Sequence, residues 1–175
     1  MLATKGTVIH LGSLGYSKTT EYNPNNETRR QVLARPNQEF ISIDIVEHTP
    51  DLPNWNHIQA SFSDGLKSQL PNSARRISAI LSLGYYGKGG VDKVSKVEFE
   101  TNEAIAAAHK VLIPGKKLEV IVMHDHAKNL ILNALRQYFD NGNIQVKEIP
   151  PGKAAHTPAL REYPNTQGWR IIAKK

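Results

Sequence analysis

The sequence predicts an α/β domain: a doubly wound, mostly parallel sheet of about seven strands, with helices on both faces and an antiparallel hairpin at its C-terminal end. Three observations lead there. Short runs rich in β-branched residues alternate with stretches of helical periodicity along most of the chain. The run Arg76-Ile-Ser-Ala-Ile-Leu-Ser-Leu83 reads as apolar on both faces, as a buried parallel strand must be. The last two strand-like runs are separated by a segment holding Pro150, Pro151, Pro158 and Pro164, which leaves no room for a crossover helix and makes the closing strand antiparallel.

Each element follows from local chemistry. Gly6 to Gly12 is a short apolar run ending in glycine, Glu39 to Val46 is rich in β-branched residues, and His57 to Ser61 is a shorter third strand. Between the first two, Asn26 to Arg35 reads as a helix capped by Asn25 or Asn26, with Glu27 at the positive end of its dipole and Pro36 as the stop. Ser13 to Pro24 shows no periodicity and reads as a loop. After the fourth strand, Gly84 to Gly90 is a glycine-rich loop. A helix starting near Thr101 places Ala104, Ile105, Ala108, Val111 and Leu112 at helical spacing and ends at Pro114-Gly115. Lys117 to Met123 is the fifth strand. Asp125 caps a further helix whose apolar stripe is Ile131, Leu132, Leu135, Tyr138 and Phe139, and Asn141-Gly142 ends it. Ile144 to Ile149 and Gly168 to Ala173 form the closing pair.

Composition bounds the function. A chain of 175 residues, 39% apolar and 22% charged, is the size and make-up of one folded domain, read as residues 1 to 175. It has no cysteine, which excludes disulfides, thiolate nucleophiles and Cys-ligated metal centres. No apolar run approaches the roughly 18 to 20 residues that span a bilayer, and the run before Gly12 is too short for a signal-peptide core; the expected location is cytoplasmic, with no membrane partner. The net charge of +6 makes this a basic protein. Its meaning depends on clustering. Lys88, Lys93 and Lys96 gather after the fourth strand, and Lys147, Lys153, Arg161, Arg170, Lys174 and Lys175 in the C-terminal part, where they would track phosphates if they faced the ligand crevice.

In a doubly wound sheet that crevice lies beyond the carboxyl ends of the strands. Leu11-Gly-Ser-Leu-Gly-Tyr16 after the first strand would let backbone amides approach a ligand at Gly12, Ser13 and Gly15. Asp44, in an otherwise apolar second strand, suits ribose hydroxyls or caps the next turn. Ser61-Phe-Ser-Asp64 offers Phe62 to frame an adenine and Ser61 or Asp64 to bond it, or Ser63-Asp64 caps a short helix from Gly65. Ser82 leads into Tyr85 and Tyr86, which could pack on a planar or cationic acceptor or simply cover the sheet edge. His124-Asp-His126 reads as a capped, solvated turn and not as a metal site.

In their combined order these pieces resemble the class I S-adenosylmethionine-dependent methyltransferases, which have a Rossmann-like fold. His109-Lys-Val-Leu-Ile-Pro-Gly-Lys-Lys-Leu-Glu-Val-Ile is similar to the helix, Pro-Gly turn and fifth strand that many of them share, and the closing strand pair is similar to their hairpin. The resemblance implies S-adenosylmethionine as cofactor, bound by His10, Gly12, Ser13, Gly15, Asp44, Ser61, Phe62 and Ser82, and direct in-line methyl transfer to an acceptor above Tyr85 and Tyr86. His10 stands where the family usually has an acidic residue, and the glycines are spaced differently. A second reading therefore stays open: an altered or inactive methyltransferase-like domain that binds nucleic acid or protein. A nicotinamide oxidoreductase ranks below both because Gly-x-Gly-x-x-Gly is missing. No proline follows Leu83, which argues against exocyclic base amines as acceptor, and the missing cysteine excludes covalent cytosine-type chemistry. The few residues before the first strand imply an open crevice, suited to a large acceptor, a homodimer or a partner subunit supplying the lid.

Overall fold

A computed structural model of the chain describes residues 6–12, 27–45, 47, 49–80, 82–84, 92–151 and 167–175. The strands are β1 (Thr7–Leu11), β2 (Phe40–Asp44), β3 (Trp55–Gln59), β4 (Ala74–Ile80), β5 (Leu112–Val122), β6 (Ile144–Ile149) and β7 (Gly168–Lys174). The helices are α1 (Glu27–Leu33), α2 (Phe62–Lys67), α3 (Asp92–Val111) and α4 (Asp125–Tyr138), with a 3-10 turn over Asn141–Asn143. One seven-stranded sheet results, in the order β3-β2-β1-β4-β5-β7-β6. The first five strands pair in parallel, and β7 enters antiparallel between β5 and β6. That is the expected doubly wound sheet with its closing hairpin.

The two faces of the sheet are built differently. On one, Ile9, Leu11, Ile41, Ile43, Ile77, Val120 and Ile171 pack against Leu66 of α2, Ala104, Ile105 and Ala108 of α3, and Ile131 and Leu135 of α4. This is the main core. On the other, Val32 of α1 packs with Val8, Phe40 and Trp55 over β1 to β3 only. The side chains along β4 alternate accordingly, so the expectation of a strand apolar on both faces is corrected. Ile77 and Ala79 face the core, while Arg76 and Ser78 share the opposite face with Lys117 and Glu119 of β5.

Several boundaries differ from the sequence reading for identifiable reasons. α3 starts at Asp92, well before Thr101, because its first turns carry no apolar repeat; Phe99 there is 67% exposed. They are held by polar bonds to α2 instead: Ser63 donates through its amide and hydroxyl to Glu100, at 3.0 and 2.9 Å, and Lys67 pairs with Glu103. β5 runs back through Pro114-Gly115 to Leu112, which pairs with Ala74. The Pro-Gly step is a turn-like bulge inside the strand: Gly115 has φ +76°, residues 113 to 116 stand opposite Arg75 alone, and the Gly115 amide donates to the Lys175 carbonyl while the Lys175 amide donates to the Lys116 carbonyl. At α4 the N-cap position is held by His124, and Asp125 sits inside the first turn, paired with Lys128.

α2 docks unusually close to β2. A Cβ at Gly65 would lie 2.4 Å from Ile43 Cγ2, inside any real contact distance. Gly65→Ala should therefore cost about 1 to 3 kcal/mol, read as a lower urea midpoint with unchanged slope, and no loss would mean that α2 can slide off β2.

Candidate functional site

Within the parallel part of the sheet the chain reverses its direction of travel at β1. From β1 it proceeds outward through β2 to β3, then returns to lay β4 on the other side of β1, so the switch point lies between β1 and β4. The residues beyond the carboxyl ends of these strands converge there. Gly12 follows β1 with φ +82°, and its amide donates to the Ile43 carbonyl at 2.8 Å. A Cβ at Gly12 would meet the Ser82 Cβ at 2.6 Å and the tip of the Phe62 ring at 3.8 Å. The Ser82 hydroxyl donates to the Leu11 carbonyl at 2.7 Å and so ties the end of β4 to that of β1. Asp44 ends β2 beside Gln59 of β3, and its carbonyl accepts the Ala60 amide. Gly12, Asp44, Phe62 and Ser82, named separately from the sequence, thus lie together at one edge of the sheet.

Two predicted residues are placed differently from the rest. Ser61 is the N-cap of α2: its hydroxyl accepts the Asp64 amide at 3.2 Å and lies 2.8 Å from the Asp64 carboxylate. The helix therefore starts at Phe62, not Gly65, and the Ser61 hydroxyl is engaged in capping it. His10 lies within β1, 2% exposed, with Nδ1 3.4 Å from the Thr28 hydroxyl of α1 and Nε2 buried without a partner. Desolvation, reinforced by the positive charges of Arg76 and Arg35 and only partly opposed by Glu119, lowers its pKa to about 3. The imidazole is neutral at neutral pH. Ser13, Gly15, Tyr85 and Tyr86 lie outside the described residues, as do Lys88, Lys153 and Arg161.

Sequence reasoning missed the polar row beneath this edge. Register aligns His57, Ser42, His10, Ser78 and Glu119 across β3, β2, β1, β4 and β5. Ser42 Oγ accepts the Trp55 indole N–H at 3.0 Å and lies 2.9 Å from His57 Nδ1. At the far end Glu119, 4% exposed, pairs with Arg76 at 2.6 Å, with Lys117 at 3.6 Å and with Arg170. Burial alone would raise its pKa, but the three cations outweigh that and hold it below the ordinary value. The signal was present in sequence as the period-two polar positions of Arg76-x-Ser78 and Lys117-x-Glu119.

This strand order, with an antiparallel seventh strand inserted beside the fifth, is the Rossmann-like fold of the class I methyltransferases. Comparison with solved structures shows it. The chain is similar to an S-adenosylmethionine-dependent methyltransferase from Mesorhizobium loti, at 16% identity over 100% of this chain and 94% of that one, with a TM-score of 0.58. It is similar to a variant of the 16S rRNA (adenine(1408)-N(1))-methyltransferase from Catenulisporales acidiphilia solved with its cosubstrate S-adenosylmethionine, at 13% identity, covering 98% and 86%, with a TM-score of 0.54. A probable spermidine synthase from Corynebacterium glutamicum is also similar, at 13% identity over 97% of this chain and 56% of that one, with a TM-score of 0.59. No family model and no curated protein matches the sequence.

Proposed function

We propose that this chain, as a single domain, is an S-adenosylmethionine-dependent methyltransferase that binds the cofactor over the Gly12 turn. The observation that carries the reading is the convergence of Gly12, Asp44, Phe62 and Ser82 at the switch point. Gly12 has no side chain where a Cβ would lie 2.6 Å from the Ser82 Cβ, so the end of β4 packs directly on its backbone and fixes the turn beside Asp44 and Phe62. The residues fit the group. Asp44 would take the ribose hydroxyls, Phe62 would pack on the adenine, and the Gly12, Ser13 and Gly15 turn would accept the methionine portion. Ser82 holds the turn in place, and Ser61 fixes Phe62 by capping its helix. His10, two residues before Gly12 and buried against Thr28 of α1, is neutral and adds no positive charge beside the proposed site. Similar structures that carry methyltransferase chemistry, one with S-adenosylmethionine bound, support the choice of cofactor.

When bound, the cofactor supplies a methyl group already activated for direct in-line displacement. The chain's own work is to hold, align and desolvate, bringing an acceptor atom within about 3 Å along the reaction line. Tyr85 and Tyr86 are the proposed acceptor contacts; the acceptor itself is unidentified, with a nucleic acid or a protein as the proposed classes. A homodimer or a partner subunit would supply a lid over the open crevice.

Isothermal titration with S-adenosylmethionine and its demethylated product tests the reading. Both should bind, and Asp44→Ala should weaken each by about ten- to a hundredfold, the worth of a charged hydrogen-bonding group. No heat from either ligand at millimolar concentration in a folded sample would sink the enzyme. The second reading, a binding module without catalysis, would then take its place; it is favoured by His10 standing where the family's acidic residue usually is.

A further inference from the structure

α3 and α4 lie side by side over the main core, and a groove of about 410 Å³ opens between them on the side away from the sheet. The helical repeat puts Ser95, Glu98, Phe99 and Asn102 along its α3 wall. On the α4 wall Leu130 and Ala134 are the apolar contacts, with the amides of Asn133 and Gln137 beside them. The groove is rich in acceptors and poor in donors. Asn102 Oδ1 is buried without a hydrogen-bond partner. Gln137 turns its amide N–H back to the Asn133 carbonyl at 3.4 Å, so its amide oxygen is the end left for a ligand. Glu100 and Glu103 are engaged by Ser63 and Lys67 of α2, whereas Glu98 makes no ion pair among the described residues. No basic residue lines the groove: Lys96 and Arg136 stand one residue, about 100° of helix, from Ser95 and Gln137. Phe99, 67% exposed, supplies an aromatic ring at its edge.

We infer that this groove binds an alkylammonium group, carried either by a free amine or by a lysine side chain. The lining selects among ligand charges. An anion would meet the Glu98 carboxylate with no cation to offset it. A wholly apolar guest would seal Asn102 Oδ1 away from water without giving it a donor, which is the costly way to bury an acceptor. An alcohol brings one O–H and gains nothing from the charge on Glu98. An ammonium group brings three N–H donors and a positive charge, which can be shared among Glu98, Asn102 Oδ1 and the Gln137 oxygen. Its alkyl stem packs on Leu130 and Ala134, and the Phe99 ring attracts the cation through its face. The net charge of +6 opposes a cation only weakly, because it is spread over the surface and screened beyond about 8 Å at physiological salt, whereas Glu98 lines the groove itself. The volume is near the lower end of the roughly 300 to 1,000 Å³ of ligand sites, which suits a small guest. The inference stands apart from the cofactor reading, because none of these residues lies at the Gly12 turn.

Titration of the isotope-labelled full chain with butylamine, followed by nuclear magnetic resonance of its side-chain amides, is the test. The Asn102, Asn133 and Gln137 signals should shift and saturate with a dissociation constant of about 1 to 10 mM, the range open to so small a ligand. Butanol and butyrate, matched in shape but neutral or negative, should leave those signals in place. Glu98→Gln should weaken butylamine binding by about three- to fivefold, and Asn102→Leu by at least about threefold. Glu148→Gln, exposed on β6 with the same change in net charge, should alter it by less than about 1.5-fold. A parallel titration with N-acetyl-lysine amide separates the two sources: tighter binding than butylamine assigns a lysine side chain, and binding no tighter assigns a free amine. Circular dichroism checks that each variant is folded, and S-adenosylmethionine titration of Glu98→Gln should match the wild type. Absence of a saturable shift up to about 20 mM butylamine, an equal response to butanol or butyrate, or equal weakening by Glu98→Gln and Glu148→Gln would overturn the inference.

Discussion

Acidification from pH 6.5 to about 3 should remove about 5 kcal/mol of folding stability through His10 alone, at about 1.4 kcal/mol per pH unit. In the unfolded chain this imidazole takes a proton near its ordinary value of 6.5; in the folded chain burial in β1 defers protonation to about 3. Between those values the unfolded state binds more protons, so the stability is fully present above pH 6.5 and drains away as the pH falls. Glu119 acts in the same direction but later, since its lowered pKa contributes stability above the ordinary carboxylate value of 4.5 that is lost only below it. The window from 6.5 to 4.5 lies above the Glu119 range; His109, whose pKa burial also lowers from 6.5, acts there in the same direction, so it is the comparison with a His10 variant that isolates His10. Urea unfolding at intervals across that window should show the wild type losing stability steeply and His10→Leu losing about 1.4 kcal/mol per unit less. The slope is the readout, so any change in absolute stability caused by the leucine does not confuse the result. Parallel slopes would mean that the buried ring takes up a proton in the folded state, relieved by movement of α1.

Replacement of Gly12 by alanine should cost about 2 to 5 kcal/mol and abolish cofactor binding. Two terms add. A left-handed φ of +82° costs a residue with a Cβ about 1 to 2 kcal/mol, and the overlap at 2.6 Å with the Ser82 Cβ costs about 1 to 3 more. Ser82→Gly in the same chain removes the overlapping atom but not the dihedral strain. The double variant should thus be more stable than the sum of the singles by at least about 1 kcal/mol, even though the Ser82 bond to the Leu11 carbonyl is lost. Additive singles would show that the turn moves away from β4 to admit the methyl group.

Most of the architecture was legible because it rests on local patterns. β-Branched runs marked the strands within a few residues, the alanine-rich stretch from Ala104 to Ala108 marked α3, and the four prolines before Gly168 forced an antiparallel end. What was not legible lacked a periodic apolar signal. The first turns of α3 are held by Glu100 and Glu103 reaching across to α2, and the early start of β5 is held by backbone bonds to Lys175, more than fifty residues away. Such contacts are long-range and polar, and periodicity does not record them. At the candidate site Gly12, Asp44, Phe62 and Ser82 were each named from their position at or just after a strand end, whereas the capping of α2 by Ser61, which starts that helix at Phe62, was not read.

The sequence by itself determined the class of fold and pointed to the strand ends as the place for a ligand, because the succession of strands and helices and the strand ends follow from spacing and turn chemistry. Only the tertiary structure decided which face each polar residue occupies. A strand residue points to one side or the other according to the register it adopts with its neighbours, and register is settled by packing across the whole sheet. That is why His10 proved to be a buried neutral group under α1, and why Lys117 and Arg170, distant in sequence from Arg76, joined it around Glu119.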